Sequence, residues 1–427
     1  MGQLKLYNKG TILIFFCTLF TTILYYRDFA VVDINKMYLV LLTFATAALL
    51  DYKHIVYLLS FLFPLSCGIP GNYIYPLLAI LLFIKDNNRG FNKLFFFIVI
   101  FLFEILHYGA YSFDSQFAEV LGYASFIFLL SYIITDNSRD LDLSKCLTFF
   151  CIGTCVLFLG LVINTNILGE QIASTADGMR LGEIHELGDF KETRMMLSVN
   201  ANVVGYYSIA AISCLLVLQY YKKIHSIFFF ILFAIAFYAG LLSVSRTWFI
   251  LLAVSFFTYL IFMKSSRIKG IFLIIALCIG AYIFLFQNAM IIDAYVERFV
   301  DDTNNLATAG GRTVIFQQYN EFLADNPIVL CFGTGAVYYM EVSGLKLATH
   351  NATQQILVSY GWVGLSIFIF ALIRQIKKYF NRKELIAILP LLTMTLFIQS
   401  IQFLNPYFLI GPIIIAILSL KIGLSHS

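Results

Sequence analysis

The feature that most constrains this chain is a succession of apolar runs, separated by breaks that carry charged residues or Pro and Gly. They fall at about 11–26, 37–50, 55–68, 72–84, 94–111, 117–134, 144–163, 197–219, 227–243, 247–263, 270–287, 353–373, 385–403 and 406–420. The runs are continuous and do not alternate, which excludes an outer-membrane barrel. A single helix needs about 20 apolar residues to cross the bilayer core. Only 12% of the 427 residues are charged and 60% are hydrophobic, against about 25% charged in an ordinary soluble domain. That excludes both a soluble multidomain enzyme and a disordered chain. The expected fold is an all-α polytopic membrane protein, one integral membrane domain over 1–427 with 12–14 transmembrane helices. The range reflects 55–84, where Pro64, Gly68, Pro70 and Gly71 make either two short spans or one re-entrant hairpin. Lys5 and Lys9 precede the first run, but Thr21 to Arg27 offers no small-residue cleavage site. That run reads as an uncleaved first helix.

Charge sets the expected orientation. Of the 28 Lys and Arg residues, Arg27, Lys36, Arg180, Lys191, Arg194, Arg246, Arg298, Arg312 and Lys346 fall on one side, and all the others fall on the alternate side. The positive-inside rule then makes both termini cytoplasmic. Two long loops, 164–196 and 288–352, are extracytoplasmic, the second partly helical, while every cytoplasmic loop is short. Chemistry is therefore expected on the outer face. No Walker pattern or Gly-rich βα unit occurs, which argues against a nucleotide-driven reaction. The basic residues are scattered and track no phosphate backbone, so no nucleic-acid partner is expected. The eight Cys residues show no CxxC or Cys/His spacing and read as small packing residues. No cofactor is expected.

The loop 288–352 carries most of the polar signal. Gly310-Gly311-Arg312 leads into Thr313 to Ala324, where Val314, Ile315, Tyr319, Phe322 and Leu323 share a helical face, and Asn326-Pro327 stops it. The helix is expected over 312–325. Free N–H groups at its start and a guanidinium in the first turn suit a phosphate; a solvated cap after a glycine turn fits the same residues. Gly333-Thr334-Gly335 is either a turn or a close approach to a ligand. Thr349-His350-Asn351 is followed by Gln354, Gln355 and Gly361-Trp362-Val363-Gly364. The His350 imidazole titrates near neutral pH and is suited to orient or deprotonate a hydroxyl. Arg246 lies in Ser243-Val244-Ser245-Arg246-Thr247, a short turn between two apolar helices. It either snorkels or faces an anionic headgroup. In the first long loop, His185 with Glu183 and Glu186 makes a weak metal set, so no metal site is expected. Arg194 stands before Asn200-Ala201-Asn202 at a helix top. Glu104 and His107 share one face inside a span and read as either a hydrogen-bonded pair or a channel lining.

Taken in order, Ser-Val-Ser-Arg246-Thr, Gly-Gly-Arg312 with its helix ending at Asn326-Pro327 before Gly333-Thr334-Gly335, and Thr349-His350-Asn351 before Gly361-Trp-Val-Gly364 resemble the O-antigen ligase and O-antigen polymerase superfamily. Asn200-Ala201-Asn202 is similar to that family's NxN segment, with Ala in place of the usual central Pro. The motifs cover about 194–373; the amino-terminal half matches in hydropathy alone. The resemblance implies a metal-independent glycosyltransferase of the bacterial inner membrane with a periplasmic site, acting in lipopolysaccharide biosynthesis. Its donor would be an undecaprenyl-diphosphate-linked oligosaccharide. Arg246 and Arg312 would hold the diphosphate and His350 would activate the acceptor hydroxyl; Arg194, Asn202, Gly311 and Asn351 would line the substrate. The implied function is an O-antigen polymerase that joins lipid-linked repeat units. The alternative is a ligase transferring glycan to lipid A-core, which the HN-x9-GxxG spacing favours. The implied partners are membrane lipid, a chain-length regulator and a flippase. Outside that family, a lipid-linked oligosaccharide flippase should show internal repeats, and none is visible. A metal-dependent lipid-sugar transferase would draw on Asp28 and Asp33, which are too far apart in sequence to form a tight pair.

Overall fold

The computed structural model of the protein describes residues 8–29, 34–86, 141–172, 199, 201–262, 312–335, 339–345, 349 and 351–379, with isolated residues between 98 and 107, at 181 and between 271 and 296. The protein is all-α among the described residues, as its hydropathy requires. In chain order the helices are α1 Lys9–Phe29, α2 Met37–Leu49, α3 Tyr52–Leu62, α4 Gly71–Lys85, α5 Leu143–Ile172, α6 Ala201–Tyr220, α7 Ser226–Leu242, α8 Arg246–Phe262, α9 Arg312–Asp325, α10 Pro327–Phe332, α11 Tyr339–Ser343 and α12 Ala352–Tyr379. Three of them, at Lys9–Asp28, Leu143–Ile163 and Ala201–Tyr220, are long and apolar enough to cross a membrane. Shorter apolar helices lie at Met37–Leu49, Tyr73–Lys85, Ser226–Leu242 and Thr247–Ile261. The spans expected at 94–111, 117–134, 270–287, 385–403 and 406–420 lie wholly or mostly outside the described residues. Large apolar side chains such as Phe15, Ile227 and Phe257 point outward. In water such a surface drives aggregation; in lipid it is the natural exterior.

Between 55 and 84 the chain forms two helices joined by a turn, an arrangement common to both expected readings, two short spans or one re-entrant hairpin. Pro64 falls in a 3-10 turn, Phe63–Gly68, that ends α3, and α4 restarts at Gly71. Buried Arg27 at the end of α1 secures this corner, donating to Asp28 Oδ1 at 2.7 Å and to the Gly68 carbonyl at 2.8 Å. Asp28, one of the two carboxylates a metal-dependent alternative would need, is thereby held in a buried ion pair. The helix α5 continues past residue 163 to Ile172, into the stretch expected as loop 164–196.

The helix α6 is the centre of the first apolar cluster, packed against α5, α7 and α8. Hydrocarbon gives helices little hydrophobic reason to associate, so close packing and internal hydrogen bonds must hold them. The indole of Trp248 on α8 packs against Gly240 of α7, where an added Cβ would come within 2.1 Å of Nε1. That Nε1 donates to Ser208 Oγ of α6 at 2.8 Å, and Ser208 donates to the Ala236 carbonyl of α7 at 2.7 Å. One small residue and one hydroxyl thus lock three helices around a buried Trp. Cys146, Cys151, Cys155 and Cys214 are buried and free, and Cys331 is free and exposed.

A second, smaller cluster gathers Ile315, Tyr319 and Leu323 of α9, Val329 of α10, Tyr339 of α11 and Val358 of α12. Val314, expected on the inward face, is exposed. The inward stripe runs at intervals of four from Ile315, and Val314 sits one residue, or about 100°, to its side.

Candidate functional site

Three of the sequence motifs end at the same kind of structural position. Arg246 is the first residue of α8, Arg312 the first of α9, and Asn351 the residue before α12. Each helix start leaves backbone N–H groups unpaired and carries the positive end of the helix dipole. A guanidinium at that position adds a full charge to a partial one. The sequence supplies the starts in three ways: a tight Ser-Val-Ser turn, a glycine pair, and an Asn cap.

The first turn is shaped by local hydrogen bonding and strain. Ser243 closes α7, its Oγ donating to the Gly240 carbonyl at 2.6 Å. Val244 then adopts a φ of 48°, a left-handed conformation that costs a β-branched residue on the order of 1–3 kcal/mol. Ser245 donates through Oγ to Asn202 Oδ1 at 3.4 Å. The Asn-x-Asn segment and the Ser-Val-Ser-Arg turn are therefore neighbours. Leu181 donates its N–H to the Leu242 carbonyl at 3.0 Å, at the same corner.

The second assembly centres on the start of α12. Asn351 caps the helix, its Oδ1 accepting from the Gln354 N–H at 3.0 Å. The Thr349 hydroxyl donates to the Asn351 carbonyl at 3.1 Å and lies 3.3 Å from Gln355 Oε1. Gln354 Nε2 donates across to α9, to the Phe316 carbonyl at 2.8 Å and to Asn320 Oδ1 at 3.0 Å. Phe316 is one turn beyond Arg312, so the first turns of α9 and α12 are tied together. Burial pushes the phenol of Tyr319 on α9 above its ordinary value, and it stays neutral.

Behind this assembly the two glycine motifs pack on each other. The helix α12 is broken at Gly361, which has φ 64° and ψ −170°. The break frees the carbonyls of Val358 and Ser359, which accept from the N–H groups of Thr334 at 2.9 Å and Gly335 at 2.8 Å. Gly333, at φ 79°, lies so close that an added Cβ would sit 2.3 Å from the Ser359 carbonyl. Both motifs are contact surfaces for each other. His107, from an apolar run far away in sequence, lies 3.0 Å through Nε2 from the Gly333 carbonyl. Glu104, the other member of the pair expected inside that run, lies outside the described residues.

The structure thus brings Asn202 beside the turn before Arg246, and ties the helix that Arg312 opens to the helix that Asn351 caps. His350, Gly311 and Arg194 lie outside the described residues, as does Asp33; His350 is bracketed by Thr349 and Asn351. Sequence reasoning did not single out Ser245 or the two glutamines as anchors. The signal for the glutamines was present: two adjacent amides entering an otherwise apolar run. Among the described residues no three His, Cys, Asp or Glu side chains gather in a way that could hold a metal ion. Residues 228–369, from α7 into α12, match a family model described as O-antigen ligase. No curated protein and no solved structure matches the chain.

Proposed function

Because residues 228–369 support assignment of the chain to the O-antigen polymerase and ligase superfamily, we propose that it is an O-antigen polymerase of the bacterial inner membrane. It transfers glycan from undecaprenyl diphosphate to a sugar hydroxyl of another lipid-linked repeat unit on the periplasmic face. The observation that carries the reading is the position of the motif arginines: Arg246 and Arg312 each open a helix. A diphosphate is recognised by fixed guanidiniums and helix N-termini. Its departure leaves charge that these groups stabilise without a proton donor and without a divalent ion. His350 takes the proton from the acceptor hydroxyl. The hydroxyl oxygen attacks the anomeric carbon, and the carbon–oxygen bond to the diphosphate breaks with its electron pair leaving on the diphosphate. In-line attack inverts the anomeric centre. Arg194, Asn202, Gly311 and Asn351 are assigned to the substrate path; Asn202 and Asn351 act there chiefly by fixing the two helix starts. Membrane lipid surrounds the site, and a flippase and a chain-length regulator act before and with it.

Ligation to lipid A-core is the second reading, favoured by the description of the matched family and by the HN-x9-GxxG spacing. Deletion of the chain in its own host separates the two. Single repeat units on lipid A-core are expected, restored to long polymer by the intact chain. Polymer held on undecaprenol instead means ligation, and an unchanged surface glycan contradicts both readings.

A further inference from the structure

The helix α10, Pro327–Phe332, is six residues long, far too short to cross a bilayer. It lies in a stretch expected to face water, yet Pro-Ile-Val-Leu-Cys-Phe holds no charge, no amide side chain and no hydroxyl. Val329 turns inward, into the cluster with α9 and α12. Ile328 and Phe332, four residues apart on one face, are 79% and 54% exposed. Cys331 beside them is exposed as well. The outer face of α9 has the opposite character. From Gln317 onward its exposed side chains are Gln317, Gln318, Asn320, Glu321, Ala324 and Asp325, a set that suits water. The polarity of the surface therefore changes at Asn326-Pro327, where one helix stops and the next starts.

The neighbour of α10 identifies what covers its outer face. Gly361 packs on the end of α10, where an added Cβ would sit 2.2 Å from the Cys331 carbonyl. Trp362 follows at once and is 53% exposed. From Trp362 to Ile373 the chain carries no charge, and Val363, Ile367 and Phe370 are exposed along it. Lipid is the natural cover for that stretch, and the apolar face of α10 continues it at its Trp362 end. Trp is enriched at the headgroup level of membrane proteins. A short helix with an outward apolar face at that level is suited to lie in the plane of the interface.

We propose that α10 is an interfacial anchor, its Ile328 and Phe332 face seated in the lipid boundary beside Trp362. The anchor fixes the height at which α9 and the first turns of α12 stand over the bilayer. The inference concerns the lipid surface alone and does not depend on the glycan-transfer reading.

The test uses the full-length protein reconstituted in phosphatidylcholine bilayers and reads Trp fluorescence. The chain has two Trp residues, of which Trp248 is buried. In a Trp362→Phe background, Ile328→Trp reports on α10 and Gln318→Trp reports on the polar face of α9. The emission of the background protein is subtracted from each. The quenchers are lipid brominated near the glycerol end of its acyl chains, and iodide in the water on both sides. Brominated lipid is expected to quench position 328 by about twofold or more, because an interfacial helix lies about 5–10 Å into the boundary and meets the bromines. Iodide is expected to quench position 318 and to leave position 328 nearly untouched. Iodide quenching at 328 equal to that at 318 overturns the proposal. Silence at 328 to both quenchers also overturns it, since protein then covers the face, from a second copy or another segment of the chain. If Ile328→Trp does not fold, Phe332→Trp decides on the same criteria.

Discussion

At the scale of single residues, charge is placed sparingly, and at the start of α3 three charged or titratable side chains meet. Asp51 accepts from Lys9 at 3.0 Å and meets His54 Nδ1 at 2.5 Å, and its side chain also caps α3 through the His54 N–H. Burial alone raises the Asp51 carboxyl; the hydrogen bonds from His54 and Lys9 outweigh it and hold the group down at about 2. Lys85 caps the other side of this corner, donating to the Ala47 and Ala48 carbonyls at the end of α2. A carboxyl held below its ordinary 3.8 adds stability above that pH and loses it as the pH falls toward 2. Thermal unfolding in detergent should therefore show the wild type losing Tm between about pH 4 and 2 more steeply than Asp51→Asn. Parallel curves contradict the assignment. This corner was not legible in advance: Lys9 and Asp51 are distant in sequence, and nothing in an apolar run announces which polar residue at its end meets which. Arg246 and Arg312 were legible, because a guanidinium beside a turn signal is a local pattern. Gln354 and Gln355 stood in plain view as amides; the bonds they make to Phe316, Asn320 and Thr349 appear only once the chain is folded.

At the scale of elements, the broken helix α12 ties the site's two glycine motifs together. As a sequence, Gly333-Thr334-Gly335 admits a turn or a close approach to a ligand. The fold answers with neither alone: the kink at Gly361 exposes two carbonyls, and the Thr334 and Gly335 N–H groups satisfy them. No reading of local periodicity contains that contact, since it depends on two backbones meeting. The helix α9, by contrast, was legible from its glycine pair, its stripe and its Asn-Pro stop, because all three signals are local. Gly361→Ala adds a Cβ 2.2 Å from the Cys331 carbonyl at a positive φ. The backbone strain alone is on the order of 1–3 kcal/mol, and the overlap adds to it. A clear fall in Tm is expected together with loss of transfer, since the shift separates α12 from its supports. A variant with wild-type Tm contradicts the packing account.

At the scale of the whole molecule, hydropathy alone dictated an all-α membrane protein, and the long apolar helices agree with it. What hydropathy does not encode is how a uniform bundle acquires a site. Here a first apolar cluster, centred on α6, positions the turn before Arg246, and a second, of α9, α10, α11 and α12, positions Arg312 and the residues flanking His350. The central claim is that the helix starts carrying Arg246 and Arg312 serve one diphosphate. The most direct test is a double-mutant cycle on transfer by the purified protein with lipid-diphosphate donor, run in the presence of a chelator. Each single variant, Arg246→Ala or Arg312→Ala, is predicted to slow transfer by about 100-fold or more. The double variant should fall far short of the product of the two losses, because the residues act as a unit. Wild-type rates in either single variant, strictly multiplicative losses, or activity that a chelator abolishes and a divalent ion restores would contradict the account.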